Sequence, residues 1–282
     1  MQGAKRRKIL YIIMSVVFGL YALSLLFPFY FIILNSFKTN GEFIENVYAF
    51  PLKLFKQSDI FRNYSKAFED GTLFSMFVHT AVLTVFGTIL GTLTPAVVAY
   101  VLAKYKFKLG SVIFTTAIIF MVVPQVGGTV STYMLFINLN LLNTYWGMLM
   151  LYAAPFGGFF LLLYGYFKTV SWSYAEAAFI DGAGDFTVFF RIMLPQARAG
   201  LSAIALLVGL GIWNDYFGPY MYMPNIWTLG TGLQNMSYNA VVTGDYTPMF
   251  ASMVMVAAPV VILFACTQKV LINNTVAGGL KG

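Results

Sequence analysis

Charge is what this chain has least of. Asp, Glu, Lys and Arg make up 10% of its 282 residues, against roughly 25% in a soluble domain. A water-soluble globule could not cover its surface with so little charge, so the composition excludes a soluble enzyme, a disordered chain and a secreted disulfide scaffold. A single cysteine, Cys266, excludes an internal disulfide and a cysteine-cluster metal site. A single histidine, His79, excludes a zinc site built from several. A phosphate-binding loop of the form Gly-x4-Gly-Lys-Ser/Thr is missing too. The nearest glycine-rich stretches, Gly182-Ala183-Gly184 and Gly230-Thr231-Gly232, lack the lysine and a preceding strand. This chain is therefore not expected to hydrolyse ATP or to be an enzyme. What it has in abundance is apolar surface: 59% hydrophobic and 18% aromatic residues, the composition of a protein whose solvent is mostly lipid.

Six apolar runs approach or exceed the roughly 20 residues that a membrane helix needs. They cover about 9–34, 74–103, 110–139, 145–167, 200–223 and 250–267, within one membrane domain spanning 1–282. The first follows the basic run Lys5-Arg6-Arg7-Lys8. It has no small-residue cleavage site after it and reads as a retained anchor rather than a signal peptide. The third is interrupted by Pro124, Gly127 and Gly128. An even number of spans puts both termini on one side. With that side inside, all but five of the 17 basic residues are cytoplasmic, as the positive-inside rule requires. The five, Lys38, Lys53, Lys56, Arg62 and Lys66, share the outer loop 35–73 with Glu42, Glu45, Asp59, Glu69 and Asp70. The net charge of +7 is thus topological, and nucleic acid is not an expected partner.

The inner segment 168–199 reads as helix, break, helix. Ser173 stands three residues before Glu176, the capping-box spacing. Gly182-Ala183-Gly184 breaks the first helix, Asp185 is placed to cap a second over 186–193, and Leu194-Pro195 is expected to end it. Phe179, Phe186, Phe189 and Phe190 give the pair an apolar face suited to a partner. The outer segment 224–249, rich in Gly, Asn, Thr and Tyr, reads as a long loop. Asp215 is the one acidic residue inside any apolar run. A carboxylate there costs about 2.5–3.5 kcal/mol on insertion scales, so it faces a partner or water. With Trp213, Asn214 and Tyr216 beside it, it offers the ring, amide and carboxylate that bind sugar faces and hydroxyls. A structural hydrogen bond to another span is the competing reading. Gly209, Gly211 and Gly218-Pro219 permit a local break that would turn these groups inward. Gly87 and Gly91 read as a helix-packing face, and His79 as an interfacial rather than ligating histidine.

The order Glu176-Ala177-Ala178, three residues, Gly182, nine residues, Ile192, one residue, Leu194-Pro195 matches the EAA signature of bacterial ABC importer permeases. The chain resembles maltose-type carbohydrate permeases, in particular the shorter of the two paired subunits. Asn35-Ser36-Phe37-Lys38, Val123-Pro124-Gln125, Leu142-Asn143-Thr144-Tyr145, Trp213-Asn214-Asp215 and the tail Gly278-Gly279-Leu280-Lys281-Gly282 carry the likeness along the chain. It implies an all-α, six-helix permease of the type I importer fold with a cytoplasmic coupling helix pair, in the bacterial inner membrane with both termini cytoplasmic. The implied partners are a second permease subunit, two ATPase subunits or domains that hold the ATP and magnesium, an extracellular solute-binding protein, and a carbohydrate. This chain itself is expected to bind no cofactor or metal. Glu176, Ala177, Ala178, Asp181, Gly182, Gly184, Leu194 and Pro195 are the implied ATPase-coupling residues, with Glu176 pairing with a basic group. Trp213, Asn214, Asp215, Tyr216 and Gln125 are candidate pathway residues. Gly230, Gly232, Asn235, Tyr238 and Asn239 lie in the segment that would reach into the binding protein, with Gly244 adding backbone freedom. The alternatives are a glycerophosphodiester or polyol permease, a membrane-embedded enzyme acting on lipid-linked sugar, and an ion-coupled secondary transporter. The enzyme lacks its clustered acids, and the secondary transporter lacks visible repeat halves.

Overall fold

The computed structural model describes residues 2–51, 61–69, 72–122 and 127–279, with no strand among them. Three helices are by themselves long and apolar enough to cross a membrane: α1 (Gln2–Ser36), α4 (Thr72–Lys104) and α15 (Thr247–Gly279). The short helices α2 (Asn40–Glu45) and α3 (Arg62–Glu69) lie between the first two. Each of the other three apolar runs is a pair of shorter helices. The third is α5 (Gly110–Val122) and α6 (Gly128–Asn138), the fourth α7 (Tyr145–Tyr152) and α8 (Gly158–Thr169). The fifth is α12 (Arg198–Trp213) and α13 (Phe217–Tyr222). The inner segment supplies α9 (Ser173–Ile180), α10 (Asp185–Val188), a π-turn Phe189–Met193 and the short α11 (Leu194–Gln196), and α14 (Leu229–Thr243) precedes α15. The expected break in the fifth run is thus present; in the third, Gly127 stands outside α6 at φ +80°, and Pro124 lies outside the described residues. The break in the fourth, at 153–157, was not anticipated, although Pro155 and Gly157-Gly158 mark it.

The chain forms two compact units, Met1–Phe74 with Gly232–Pro259, and Ser75–Thr231 with Val260–Gly282. In the first, every side chain from Arg7 to Tyr30 is exposed. A helix apolar all round and unburied by its own chain needs lipid or another chain as solvent. Past Tyr30 the same helix enters a polar closure. Asn35, Ser36 and Lys38 are fully buried. Asn63 donates to the carbonyls of Ser36 and Lys38 at 2.7 and 2.8 Å. Lys38 donates to those of Asn46 and Val47 at 3.0 and 2.9 Å. Burial lowers the Lys38 pKa, against the opposing pull of Glu42. Asn40 accepts from the Tyr246 amide and donates to the Gly244 carbonyl, which ties α2 to the turn between α14 and α15. Phe250 packs its ring on Phe31 and Phe43 beside this closure.

The second unit has two cores. Around one, Ala96, Ala99 and Tyr100 of α4 meet Phe160, Leu163 and Phe167 of α8 and Ala175, Val188, Phe189 and Met193 of the inner segment. Around the other, Leu83 meets Phe136, Met148, Leu149, Ile212 and Tyr222. Close helix approach explains the Gly87 and Gly91 pair. A β-carbon on Gly91 would stand 2.9 Å from the Tyr152 carbonyl oxygen, and one on Gly87 would strike Ile212 and Tyr152 at 2.8 Å. The N-terminal part of α4 is fastened by His79, whose Nδ1 donates to the Trp227 carbonyl at 2.9 Å, and by Thr80, whose hydroxyl accepts the Leu229 amide at 2.8 Å.

Candidate functional site

The inner helix pair is half embedded and half presented. Ala175 and Ala178 are buried in the first core of the second unit. They lie three residues apart, hence on one face of α9, and their small side chains let the helix pack close. Glu176 and Ala177 are on the other side, exposed. The capping box expected from Ser173 and Glu176 is not formed. The helix begins one residue earlier than that reading needs, with Ser173 already its first residue and no side-chain cap. The Ser173 amide instead donates to Ser171 Oγ at 3.3 Å, so the Glu176 carboxylate is not spent on its own helix. Asp181 follows α9, exposed. Gly182 takes φ +82°, the left-handed region that closes a helix without steric penalty only for glycine. Gly184 is extended at φ −81° with open space at its β-carbon position, so the fold itself does not require glycine there.

Asp185 does not cap the second helix. Its carboxylate accepts a 2.6 Å hydrogen bond from the Tyr105 hydroxyl. Burial, followed by this bond, raises the Tyr105 pKa above its ordinary value. Leu194-Pro195 does not end the helix either. Pro195 lies at the start of α11, where its missing amide is harmless. The chain turns by 84° between 185–196 and 198–213. The apolar face also differs from expectation. Phe189 is buried and Phe179 half-buried against Trp172. The large exposed apolar groups are Phe186, Phe190 and Ile180, the last 86% exposed. Ile180 was missed because it continues no aromatic pattern. Its signal was an isoleucine next to a turn, on the charged side of a short helix.

Asp215 sits in the break between α12 and α13. One carboxylate oxygen accepts the Gly218 amide at 3.0 Å and so caps α13. The other accepts the Tyr152 hydroxyl at 2.9 Å. Both the pathway and the structural readings of this residue therefore have a physical basis. Asp215 also lines a cavity of about 560 Å³, with Gly91 and Pro95 of α4, Tyr152, Phe156, Phe159 and Phe160 of the fourth run, and Leu207, Val208, Gly211 and Ile212 of α12. Backbone breaks are tolerated at membrane depth where they line a cavity, and both 153–157 and Asp215 do so here. The other candidates beside Asp215 point elsewhere. Asn214 donates to the Leu210 carbonyl of its own helix at 2.8 Å. Trp213 packs edge-on against Phe77. Tyr216 backs onto Gly230, where a β-carbon would come within 2.9 Å of the Tyr216 β-carbon. Gln125, with Val123 and Pro124, lies outside the described residues.

The segment 224–249, read from sequence as a flexible loop, is mostly the helix α14. Gly230 and Gly232 are in its first turns, and Gly244 at φ +71° closes it. Asn235 is half-buried, Tyr238 and Asn239 are exposed, and Val241 and Val242 extend the exposed face.

The family model described as "Binding-protein-dependent transport system inner membrane component" matches residues 91–274, which contain the cavity, the inner helix pair and the 84° turn. The chain belongs to this family. The permease is 30% identical to the diacetylchitobiose uptake system permease protein of Streptomyces coelicolor, over 93% of this chain and 86% of that one. It is 30% identical to the arabinooligosaccharides transport system permease protein of Halalkalibacterium halodurans, over 99% of both. The structure of a bacterial ABC transporter involved in the import of the acidic polysaccharide alginate superposes with a TM-score of 0.76 at 24% identity, covering 93% of this chain and 96% of that one. The fold is that of a type I ABC importer permease, and the protein is a multi-pass membrane permease.

Proposed function

We propose that this permease is one of two related membrane subunits of an ATP-driven importer for an oligosaccharide, fed by an external solute-binding protein. The proposed topology is six spans in a bacterial inner membrane with both termini cytoplasmic, three of the spans being the broken pairs. The observation that carries the coupling role is the presented side of α9 and α10. Glu176, with no side-chain partner among the described residues, lies there with Ile180 and Phe186 exposed nearby, on a helix whose other face is locked into a core. Such a surface meets the requirements of a docking interface, apolar anchors beside one charge. The partner docked there is an ATPase, which holds the nucleotide and magnesium. Its closure moves α9 and α10 and so shifts the bundle between inward-open and outward-open forms.

The names of the relatives support an oligosaccharide cargo over a polyol or a glycerophosphodiester. The cavity agrees with that choice. Tyr152, Phe156, Phe159 and Phe160 offer rings to apolar sugar faces, and Asp215 offers acceptors to hydroxyls. The test is to purify the permease with the proteins that co-purify, titrate the binding protein among them against a glycan panel, and measure uptake of the best ligand into proteoliposomes loaded with ATP. ATP-dependent uptake of an oligosaccharide is expected. Binding confined to polyols or phosphodiesters would overturn the cargo.

A further inference from the structure

The inner helix pair is held at its entry and at its internal turn by one short stretch of chain, the last residue of α4 and the one after it. Where the chain leaves α8 for α9, the Val170 carbonyl accepts a hydrogen bond from Lys104 Nζ. At the start of α9, the Trp172 ring stands edge-on against Tyr105 at 5.5 Å. Past the Gly182 turn, the Tyr105 hydroxyl reaches Asp185, 80 residues away in sequence, at 2.6 Å. Tyr105 is itself propped edge-on by Tyr100 at 5.6 Å, and its amide continues the α4 ladder to the Val101 carbonyl. Tyr100 in turn packs on Phe189 and Phe167. The entry to the helix pair and the turn between its two helices therefore converge on two adjacent residues.

Those two residues end a helix that also walls the cavity. Gly91 and Pro95 of α4 line it, and Pro95 is ten residues from Tyr105, about 15 Å along a helix. A helix passes an axial or tilting displacement along its length, because its ladder is stiffer than the side-chain contacts around it. We infer that Tyr105 is a positioning residue for transport: through Asp185 and Trp172 it fixes the inner helix pair to α4, so that movement of the pair is delivered to the cavity wall. The inference rests on the proposed docking of an ATPase at Glu176, and it adds the route by which that docking is felt.

The bond has the character such a link needs. A phenol donating to a carboxylate is charge-assisted and short. The edge-on rings fix its direction, and loss of the hydroxyl alone leaves those rings in place.

The experiment uses the assembled transporter in proteoliposomes and needs no knowledge of the cargo. The parent carries Cys266→Ser and Gly211→Cys, which places one thiol of this chain in the cavity, at a position with open space around it. Alkylation of that thiol by a membrane-impermeant maleimide is followed by mass spectrometry, with and without ATP, magnesium and vanadate. The parent is expected to change its alkylation rate on nucleotide trapping. Tyr105→Phe and Asp185→Ala are each expected to shrink that change by about five-fold or more, the weight of a lost charge-assisted bond, while the complex still co-purifies and hydrolyses ATP. Combining the two should be no worse than either alone, as for partners in one bond. Asp185→Asn, which keeps an acceptor oxygen, should stay near the parent. A Tyr105→Phe protein that responds as fully as the parent would overturn the inference and leave the docking proposal standing. A parent that shows no nucleotide response overturns the docking proposal itself, and this inference with it.

Discussion

Asp215 shows how one side chain can hold structure and face a pathway at once. Its two oxygens are engaged by Tyr152 and by the amide of Gly218, yet a carboxylate has acceptor capacity left for a ligand hydroxyl. Asp215→Asn keeps the shape and weakens the charge-assisted bonds by about 1 kcal/mol. If the residue serves the pathway, that variant loses uptake while the complex co-purifies and keeps basal ATPase activity. If it serves assembly alone, the permease subunits fail to co-purify. A second residue-scale expectation follows from φ at the turn of the inner pair. Gly182→Ala forces a left-handed alanine, costing about 1–2 kcal/mol, and should lower the melting temperature of the permease. Gly184→Ala meets neither strain nor a neighbour. If Gly184→Ala lowers ATPase activation without lowering the melting temperature, the lost room is room a docked partner uses. Tyr105 sets a pH dependence. Its folded pKa is raised, so its hydroxyl contributes stability that is complete below the unfolded value of about 10 and is lost as pH climbs through the folded one. The stability gap between the parent and Tyr105→Phe should hold constant from pH 7 to 9 and narrow only above about pH 10.

At the scale of elements, apolar runs were legible and their interruptions only partly so. All six runs contain helix, because about 20 apolar residues leave a chain few other ways to satisfy its backbone. The break at 214–216 was readable from Gly209, Gly211 and Gly218-Pro219. The one at 153–157 was passed over because the surrounding run is uniformly apolar, although Pro155 marks it. Capping was misassigned for a physical reason. Thr39 and Glu42 do form a capping box, because Thr39 is extended and lies outside its helix. Ser173 and Glu176 share the spacing, but Ser173 is already inside α9, where a hydroxyl cannot cap. Spacing specifies a box only if the first residue is at the boundary, and sequence locates a boundary to no better than a few residues. The candidate coupling residues come from the order of a motif, whereas the exposure of Ile180 and the partner of Tyr105 needed three dimensions. The Tyr105 bond spans 80 residues, and no local pattern announces it. The helical state of α14 changes what its outer face can do. Exposed Tyr238, Val241 and Val242 form a rigid apolar strip rather than a mobile loop. Tyr238→Ala with Val242→Ser should leave complex assembly unchanged and reduce stimulation of ATP hydrolysis by the loaded binding protein. Unchanged stimulation would make α14 a connector.

At the scale of the whole molecule, the permease carries its cavity and its inner helix pair in one compact unit. The cavity and the inner helix pair both belong to 75–231, and both lie on the part of the chain that the family model matches. The first unit presents a long apolar helix whose side chains from Arg7 to Tyr30 are exposed. At the C-terminal end of that helix it closes with the buried network of Asn35, Lys38 and Asn63. The likeness of the chain to its relatives runs nearly end to end, as the EAA signature and the smaller motifs in order along the chain imply. Glu176 is proposed to engage a partner ATPase on the presented side of α9. The most direct measurement is ATP hydrolysis by the reconstituted transporter, with and without the sugar-loaded binding protein, for the parent, Glu176→Ala and Glu176→Lys. Loss of a buried interfacial charge pair costs about 2–5 kcal/mol. Glu176→Ala should therefore weaken ATPase retention or abolish stimulated hydrolysis, and charge reversal in Glu176→Lys should be worse. Wild-type stimulation and uptake in both variants would contradict the account.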